Sequence, residues 1–291
     1  MYNDKLNEYK NLITQKLDEY IPKEYPNSIF ESMRYSVLAD GKRIRPIFAI
    51  EIYKLFNNNI EEILPTACAI EMLHAQSLIH DDLPCMDNDD FRRGKPTNHK
   101  VFGEAIATLA GDALLSFAPQ IIINKTPKTV ANDKLIKVLN EFMQTAGAYG
   151  IIAGQVVDIE SEGKKIDEKT LNFIHQHKTA DMFKLPIKAG AIIGGANDKQ
   201  LTKLTQYADK IGLAFQIADD ILDETATLEV LGKTPGKDKA VGKATYVTMY
   251  GIDKAKEYLH SLIRQSCAII RDEFHSDLLI YLTELIGTRT K

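Results

Sequence analysis

The sequence predicts an all-α fold over residues 1–291: one domain of helices packed around a central apolar cavity. Three observations carry the helical reading. Apolar residues recur at helical spacing along nearly every segment. No strand alternation, hairpin turn signal or short β-branched run occurs. No internal repeat or linker divides the chain.

The first helix is expected over about 3–20, where Leu6, Tyr9, Ile13, Leu17 and Tyr20 keep helical spacing. Pro22 and Pro26 punctuate the connection to a second, Ser28 to about Ala39, with Ser28 placed to cap it. Asp40-Gly41 ends it, and Lys42, Arg43 and Arg45 precede an apolar helix at about 47–56. Those cations suit either a solubilising turn or an anion site at a helix start. A long helix runs from about Ile60 to Asp82, with His74, Leu78 and Asp81 on one face. Further helices are expected at about 102–123, 131–160, 166–194, 198–225, 245–271 and 275–287. The one at 166–194 is interrupted near Lys178-Thr179 or at Pro186.

Hydrophobic residues make up 44% of the chain and charged residues 26%, an ordinary globular mix. The net charge of −4 argues against nucleic-acid binding. Cys68, Cys85 and Cys267 are far apart, form no metal spacing or disulfide framework, and point to a reducing, cytoplasmic setting. No signal-peptide pattern opens the chain, and no run of about 18 apolar residues predicts a membrane span.

The chemistry concentrates in two acidic stretches. Asp81, Asp82, Asp87, Asp89 and Asp90 fall within ten positions, followed by Arg92 and Arg93. Carboxylates this close repel unless a cation sits among them. A hard divalent ion such as magnesium suits them, and the arginines suit phosphate. A solvated acidic loop is the plain alternative. Pro84 breaks the helix, so Asp81 and Asp82 should end it while Asp87 folds back from the loop. The second stretch places Gly212, Gln216, Asp219 and Asp223 on one stripe of an otherwise apolar helix, with Asp220 beside them. Buried without partners, such carboxylates would be costly. A glycine- and lysine-rich loop at 231–243 follows, either an exposed loop or a lid bringing lysines onto phosphates. Gln155 and Asp158 share a helix face, as partners behind the site or as a surface pair. His175 and His177 read as structural or surface residues and not as metal ligands.

Two aspartate clusters, three basic clusters and an apolar bundle fit cation-assisted departure of a diphosphate from an allylic carbon, with the carbocation shielded from water. In this respect the chain resembles the bacterial short-chain trans-prenyl diphosphate synthases, the farnesyl diphosphate synthases above all. The resemblance rests on Gly41-Lys42-Arg43-Ile44-Arg45-Pro46, His80 through Asn98, and Gly103-Glu104-Ala105. Asp112, Gly154-Gln155, Lys178-Thr179, Phe215-Gln216 with Asp219-Asp220 and Asp223, and Gly242-Lys243 with Thr245-Tyr246 extend it along nearly the whole chain.

The resemblance implies magnesium, three ions per active site, held by Asp81, Asp82 and Asp87 on one side and Asp219, Asp220 and Asp223 on the other. It implies that Arg92, Lys178, Lys233 and Lys243, helped by Thr179 and Gln216, hold the allylic diphosphate. Lys42, Arg45, His74 and Arg93 would hold isopentenyl diphosphate. Asp89 and Asp90 are expected to shape the loop or to pair with Arg92 and Arg93. The departing diphosphate would take the proton, so no side-chain base is required. A homodimer is also implied, and the Ala/Gly-rich stretch 105–111 is consistent with it.

Relatives that make farnesyl diphosphate often carry an aromatic five positions before the first Asp; here that position is Gln76, with Ser77 beside it. The Leu83-Pro84-Cys85-Met86 spacer occurs in bacterial farnesyl synthases and in plant-type geranylgeranyl synthases. The expected product is farnesyl diphosphate, with geranylgeranyl diphosphate the alternative. A class I terpene cyclase and a non-catalytic synthase subunit are weaker alternatives, because both aspartate clusters are intact.

Overall fold

The structure is a computed structural model, and it describes residues 2–225 and 245–288. It is all-α apart from one minimal hairpin. The described residues belong to two compact units, Met1–Phe142 with Ile192–Gly194, and Met143–Ala191 with Gly195–Lys291.

The first unit contains α1 (Tyr2–Tyr20), α2 (Asn27–Val37), α3 (Ile44–Lys54), a 3₁₀ turn at Ile60–Glu62, and α4 (Leu64–Asp81). Strands β1 (Phe91–Arg92) and β2 (Lys95–Pro96), α5 (Asn98–Phe102), α6 (Glu104–Lys125) and most of α7 (Asn132–Ala146) complete it. Pro26, rather than Ser28, occupies the N-cap of α2, and no side chain caps it. Ser28 lies inside the helix because its N-cap falls two residues earlier than expected.

Helix α4 is the core of this unit. Leu64, Ala67, Cys68, Ile70, Met72, Leu73 and Ile79 are all buried, on every side of the helix, as befits a helix packed against α3 and α6. Glu71 would be stranded there without the Arg43 guanidinium, 2.6 Å from it and equally buried. Helix α6 is long and apolar enough to cross a membrane by length and composition, which the reading of apolar runs did not anticipate. Ala107, Ala110, Gly111, Leu114, Ala118, Ile121 and Ile122 are nevertheless buried within the unit. Part of its hydrophobicity therefore has a use in the core.

The second unit contains α8 (Ile151–Ser161), α9 (Glu168–Ile174), a π-helical turn at His175–Ala180, and α10 (Asp181–Gly194) up to Ala191. Then follow α11 (Asp198–Thr225), α12 (Tyr246–Tyr250), α13 (Ile252–Glu273) and α14 (Asp277–Gly287). The helix expected at 131–160 is two helices, broken between Ala146 and Ile151. The one expected at 245–271 is also two, broken at Gly251, where φ is 84°. The interruption in 166–194 falls at the π turn, and α10 continues through Pro186. The central helix here is α11, which buries Leu204, Tyr207, Ala208, Ile211, Ala214, Ile217 and Ile221 against α13, α14 and the π turn.

Candidate active site

In each unit the central helix carries an aspartate cluster at its C-terminal end. Carboxylates there face the negative pole of the helix and destabilise it unless a cation compensates. In the first unit α4 ends on Asp81, and Pro84 sits in the turn that follows. The loop then folds back as expected: the Asp87 backbone N–H donates to the Asp81 carbonyl at 2.9 Å. Asp81 is half-buried and Asp87 exposed. Asp82 is buried instead, and its Oδ1 accepts from Arg92 Nε at 2.7 Å, with Arg92 Nη2 at 2.6 Å. Burial raises the Asp82 carboxyl above the usual range against the pull of Arg92, and Asp89 and Asp87 add to the rise. Arg92 also reaches Asp89 at 3.5 Å, so within this unit its guanidinium is engaged by aspartates. Asp90 pairs with Lys100 at 2.7 Å rather than with Arg93.

The hairpin is the feature of this unit that sequence reading missed. Phe91 pairs with Pro96, and Arg92 with Lys95. The two turn residues, Arg93 and Gly94, both have positive φ, 52° and 75°. That is the backbone of a two-residue hairpin whose twist matches its strands. The signal was the Arg93-Gly94 pair, obscured because hairpins are usually marked by Asn-Gly or Asp-Gly. The turn brings Arg93 Nη2 to 3.3 Å from His74 Nε2, and α3 brings Arg45 Nη1 to 3.4 Å from the same nitrogen. With donors on both sides, that nitrogen is the acceptor. The His74 ring stays neutral, its pKa well below the ordinary value because of burial first and the surrounding guanidiniums second. Lys42 is exposed at the start of this group. Arg43 is not part of it, being committed to Glu71.

Gln76 and Ser77 lie one turn before Asp81. The Gln76 amide donates to His80 Nδ1 at 3.0 Å, and His80 Nε2 donates to the Thr108 carbonyl of α6 at 3.1 Å. The ring fills the space over Gly111, where a Cβ would come within 2.0 Å of it. Ser77 turns back to its own helix, bonding the His74 carbonyl at 3.0 Å.

In the second unit the π turn carries Lys178 and Thr179. A π turn widens the helix by one residue and re-aims its side chains. Gly154 of α8 permits it, since a Cβ there would lie 2.4 Å from the Lys178 nitrogen. Lys178 Nζ is 2.6 Å from the buried Asp158 carboxylate. Asp158 is thereby a buried partner of Lys178 and not a surface residue. Thr179 donates to Gln216 Oε1 at 2.7 Å, and the Gln216 amide donates to Asp220 at 2.8 Å. Asp219 and Asp223 are half-buried on one face of α11, while Asp220 is buried a third of a turn away. His175 is buried and stacks on Tyr246, with 5.3 Å between ring centres, in keeping with a structural role. Lys233 and Lys243 lie outside the described residues.

Among the described residues no three His, Cys, Asp or Glu side chains form a ready cage for a metal. Magnesium does not require one. It binds through one or two carboxylates and completes its shell with water and substrate phosphates. Asp81 with Asp87, and Asp219 with Asp223, are all-oxygen donor pairs at the negative ends of helices, and they fit such an ion.

Comparison with known proteins agrees with this chemistry. The family described as Polyprenyl synthetase matches residues 26–275. A chloroplastic geranylgeranyl pyrophosphate synthase from Catharanthus roseus is 50% identical over 257 residues, 88% of this chain and 72% of that protein. A dimethylallyltranstransferase from Fischerella ambigua is 47% identical over 289 residues, 99% of this chain and 83% of that one. The crystal structure of an FPP/GFPP synthase from Zymomonas mobilis superposes with a TM-score of 0.87 at 33% identity, covering 99% of both chains. The all-α architecture is therefore the isoprenoid synthase helical fold, and the chain belongs to the polyprenyl synthetase family.

Proposed function

We propose that the chain condenses isopentenyl diphosphate with allylic diphosphates and that geranylgeranyl diphosphate is its main product. The observation that carries the condensation is the convergence of Arg45 and Arg93 on the neutral His74, on the same unit as the Asp81–Asp87 pair. A carboxylate pair suited to a metal-bound diphosphate and a basic cluster suited to a metal-free one match the two substrates.

Asp81, Asp87, Asp219 and Asp223 would hold magnesium, which neutralises the leaving diphosphate when bound. Lys178, fixed by Asp158, and Thr179, fixed by Gln216, hold the allylic diphosphate. Arg45, Arg93 and Lys42 hold isopentenyl diphosphate, and neutral His74 orients the two guanidiniums without adding charge. The allylic carbon–oxygen bond breaks, and the isopentenyl double bond attacks the cation. The resulting cation loses a proton to the departed diphosphate.

Two observations favour the longer product over the farnesyl product expected from sequence. The Catharanthus roseus relative is named a geranylgeranyl pyrophosphate synthase. No aromatic stands one turn before Asp81, and Gln76 is drawn along α4 onto His80. The farnesyl reading keeps support from the Zymomonas mobilis FPP/GFPP synthase structure. The test is incubation with magnesium, isopentenyl diphosphate and dimethylallyl, geranyl or farnesyl diphosphate in turn, with the products identified after dephosphorylation. A geranylgeranyl product from all three primers is expected. Extension that stops at farnesyl would overturn the product, and no condensation with any primer would overturn the function. The same reading includes a homodimer and a cytoplasmic location.

A further inference from the structure

We propose that Asp220 is a positioning residue, an anchor joining α11, α12 and the π turn, rather than a ligand of the metal. The proposal rests on the reading of Asp219 and Asp223 as the metal-binding pair of this unit.

Both oxygens of Asp220 are engaged. Oδ1 accepts from the Gln216 amide at 2.8 Å, and Oδ2 accepts from the Tyr246 backbone N–H at 2.9 Å. The side chain is 4% exposed, with His175 Nε2 at 4.0 Å from Oδ2. The rest of α12 is built onto this contact. The Tyr246 hydroxyl donates to Asn172 Oδ1 at 2.5 Å, and its ring stacks on His175. Thr245 and Thr248 close a reciprocal cap around the start of the helix. On the other side, Gln216 receives the Thr179 hydroxyl at 2.7 Å. The chain from Thr179 through Gln216 and Asp220 to Tyr246 therefore fixes where Lys178 and Thr179 stand. Along α11, successive residues diverge by about 100°. Asp219 and Asp223 are thus about 40° apart and Asp220 about 100° from Asp219, and its carboxylate is tied to α12 directly and to the π turn through Gln216.

The contact to a backbone N–H allows a direct test. Tyr246 is the first residue of α12, where proline is tolerated, and Thr245 before it is extended (φ −131°, ψ 168°), as proline requires. Tyr246→Ala removes the ring and keeps the N–H; Tyr246→Pro removes both. Asp220→Asn is made in each background and in the wild type, and melting is followed in EDTA. Asp220→Asn is expected to lower the melting temperature by about 3 °C or more in the wild type and with Tyr246→Ala. With Tyr246→Pro it is expected to lower it by less than half as much. An equal loss in all three backgrounds, or none in any, would overturn the anchor.

A second measurement separates the anchor from a metal ligand. Magnesium is titrated at inorganic pyrophosphate concentrations that saturate each variant, with thermal stabilisation as the readout. Asp219→Asn is expected to raise the half-saturating magnesium concentration about tenfold, and Asp220→Asn to leave it within twofold. An equal rise for both would overturn the proposal. In turnover, Asp220→Asn should raise KM for the allylic diphosphate several-fold and leave that for isopentenyl diphosphate unchanged. The EDTA comparison makes no use of turnover. If the wild type condensed nothing, the functional reading would fall and the anchor would still be judged by melting.

Discussion

At the scale of single residues, protonation and pairing decide what each charged group can do. His74 sits beside Asp81 on α4 but works in the basic cluster, held neutral by burial and by Arg45 and Arg93. Its folded pKa is below the unfolded value, so below about pH 6.5 the unfolded chain takes up a proton that the folded chain refuses. The neutral ring therefore contributes stability above that pH, and the contribution falls away as the solution is acidified. Urea unfolding at pH 7.5 and 5.5 should show the wild type losing up to about 1.4 kcal/mol more than His74→Gln over that interval. Equal losses would show that the ring titrates freely. Asp82 and Arg92 carry a related lesson. Both are typical site residues by sequence, yet Asp82 is buried in a pair with Arg92. Spacing identified them, but only a partner ten residues away could show which charge was already compensated.

At the scale of elements, the site depends on helices that depart from regular geometry. Lys178 and Thr179 stand on a π turn, and α8 approaches that turn closely because residue 154 is glycine. Gly154→Ala would press a methyl group onto backbone rather than onto a flexible side chain. We expect a loss of about 1–3 kcal/mol in stability. We also expect a several-fold rise in KM for the allylic diphosphate, with KM for isopentenyl diphosphate unchanged. Steady-state kinetics with each substrate varied in turn checks this, and a parallel rise in both would remove the π turn from the argument. The hairpin at Phe91–Pro96 is the other departure. It orients Arg93 toward His74 through two residues at positive φ, a geometry that the helical periodicity around it did not announce.

At the scale of the whole molecule, each unit builds a core around one helix and leaves apolar residues outside it. On the first unit Leu109 is 54% exposed, Ile123 56% and Ile136 67%, while Ala107, Ala110 and Gly111 are buried in the unit's own core. Most of the small residues of the 105–111 stretch are thus used within the unit, and the exposed larger residues of α6 and α7 form a surface that the proposed homodimer would cover. For the proposed homodimer, Ile136→Glu should shift the protein toward monomer in light scattering after gel filtration, with little change in the far-UV spectrum of the monomer. A wild type that is already monomeric would overturn the dimer.

The sequence by itself determined the helical class, both acidic clusters and the return of Asp87 to Asp81. These follow from rules within a few residues: the helical repeat, the helix-breaking ring of Pro84, and repulsion between neighbouring carboxylates. The tertiary structure decided which of those carboxylates has its oxygens engaged. Asp82 is held by Arg92, and Asp220 by Gln216 and the Tyr246 backbone. The physical reason is that helical spacing is written in local backbone geometry. Neutralising a buried charge depends on which groups the fold brings within about 3 Å, and Tyr246 is twenty-six positions from Asp220.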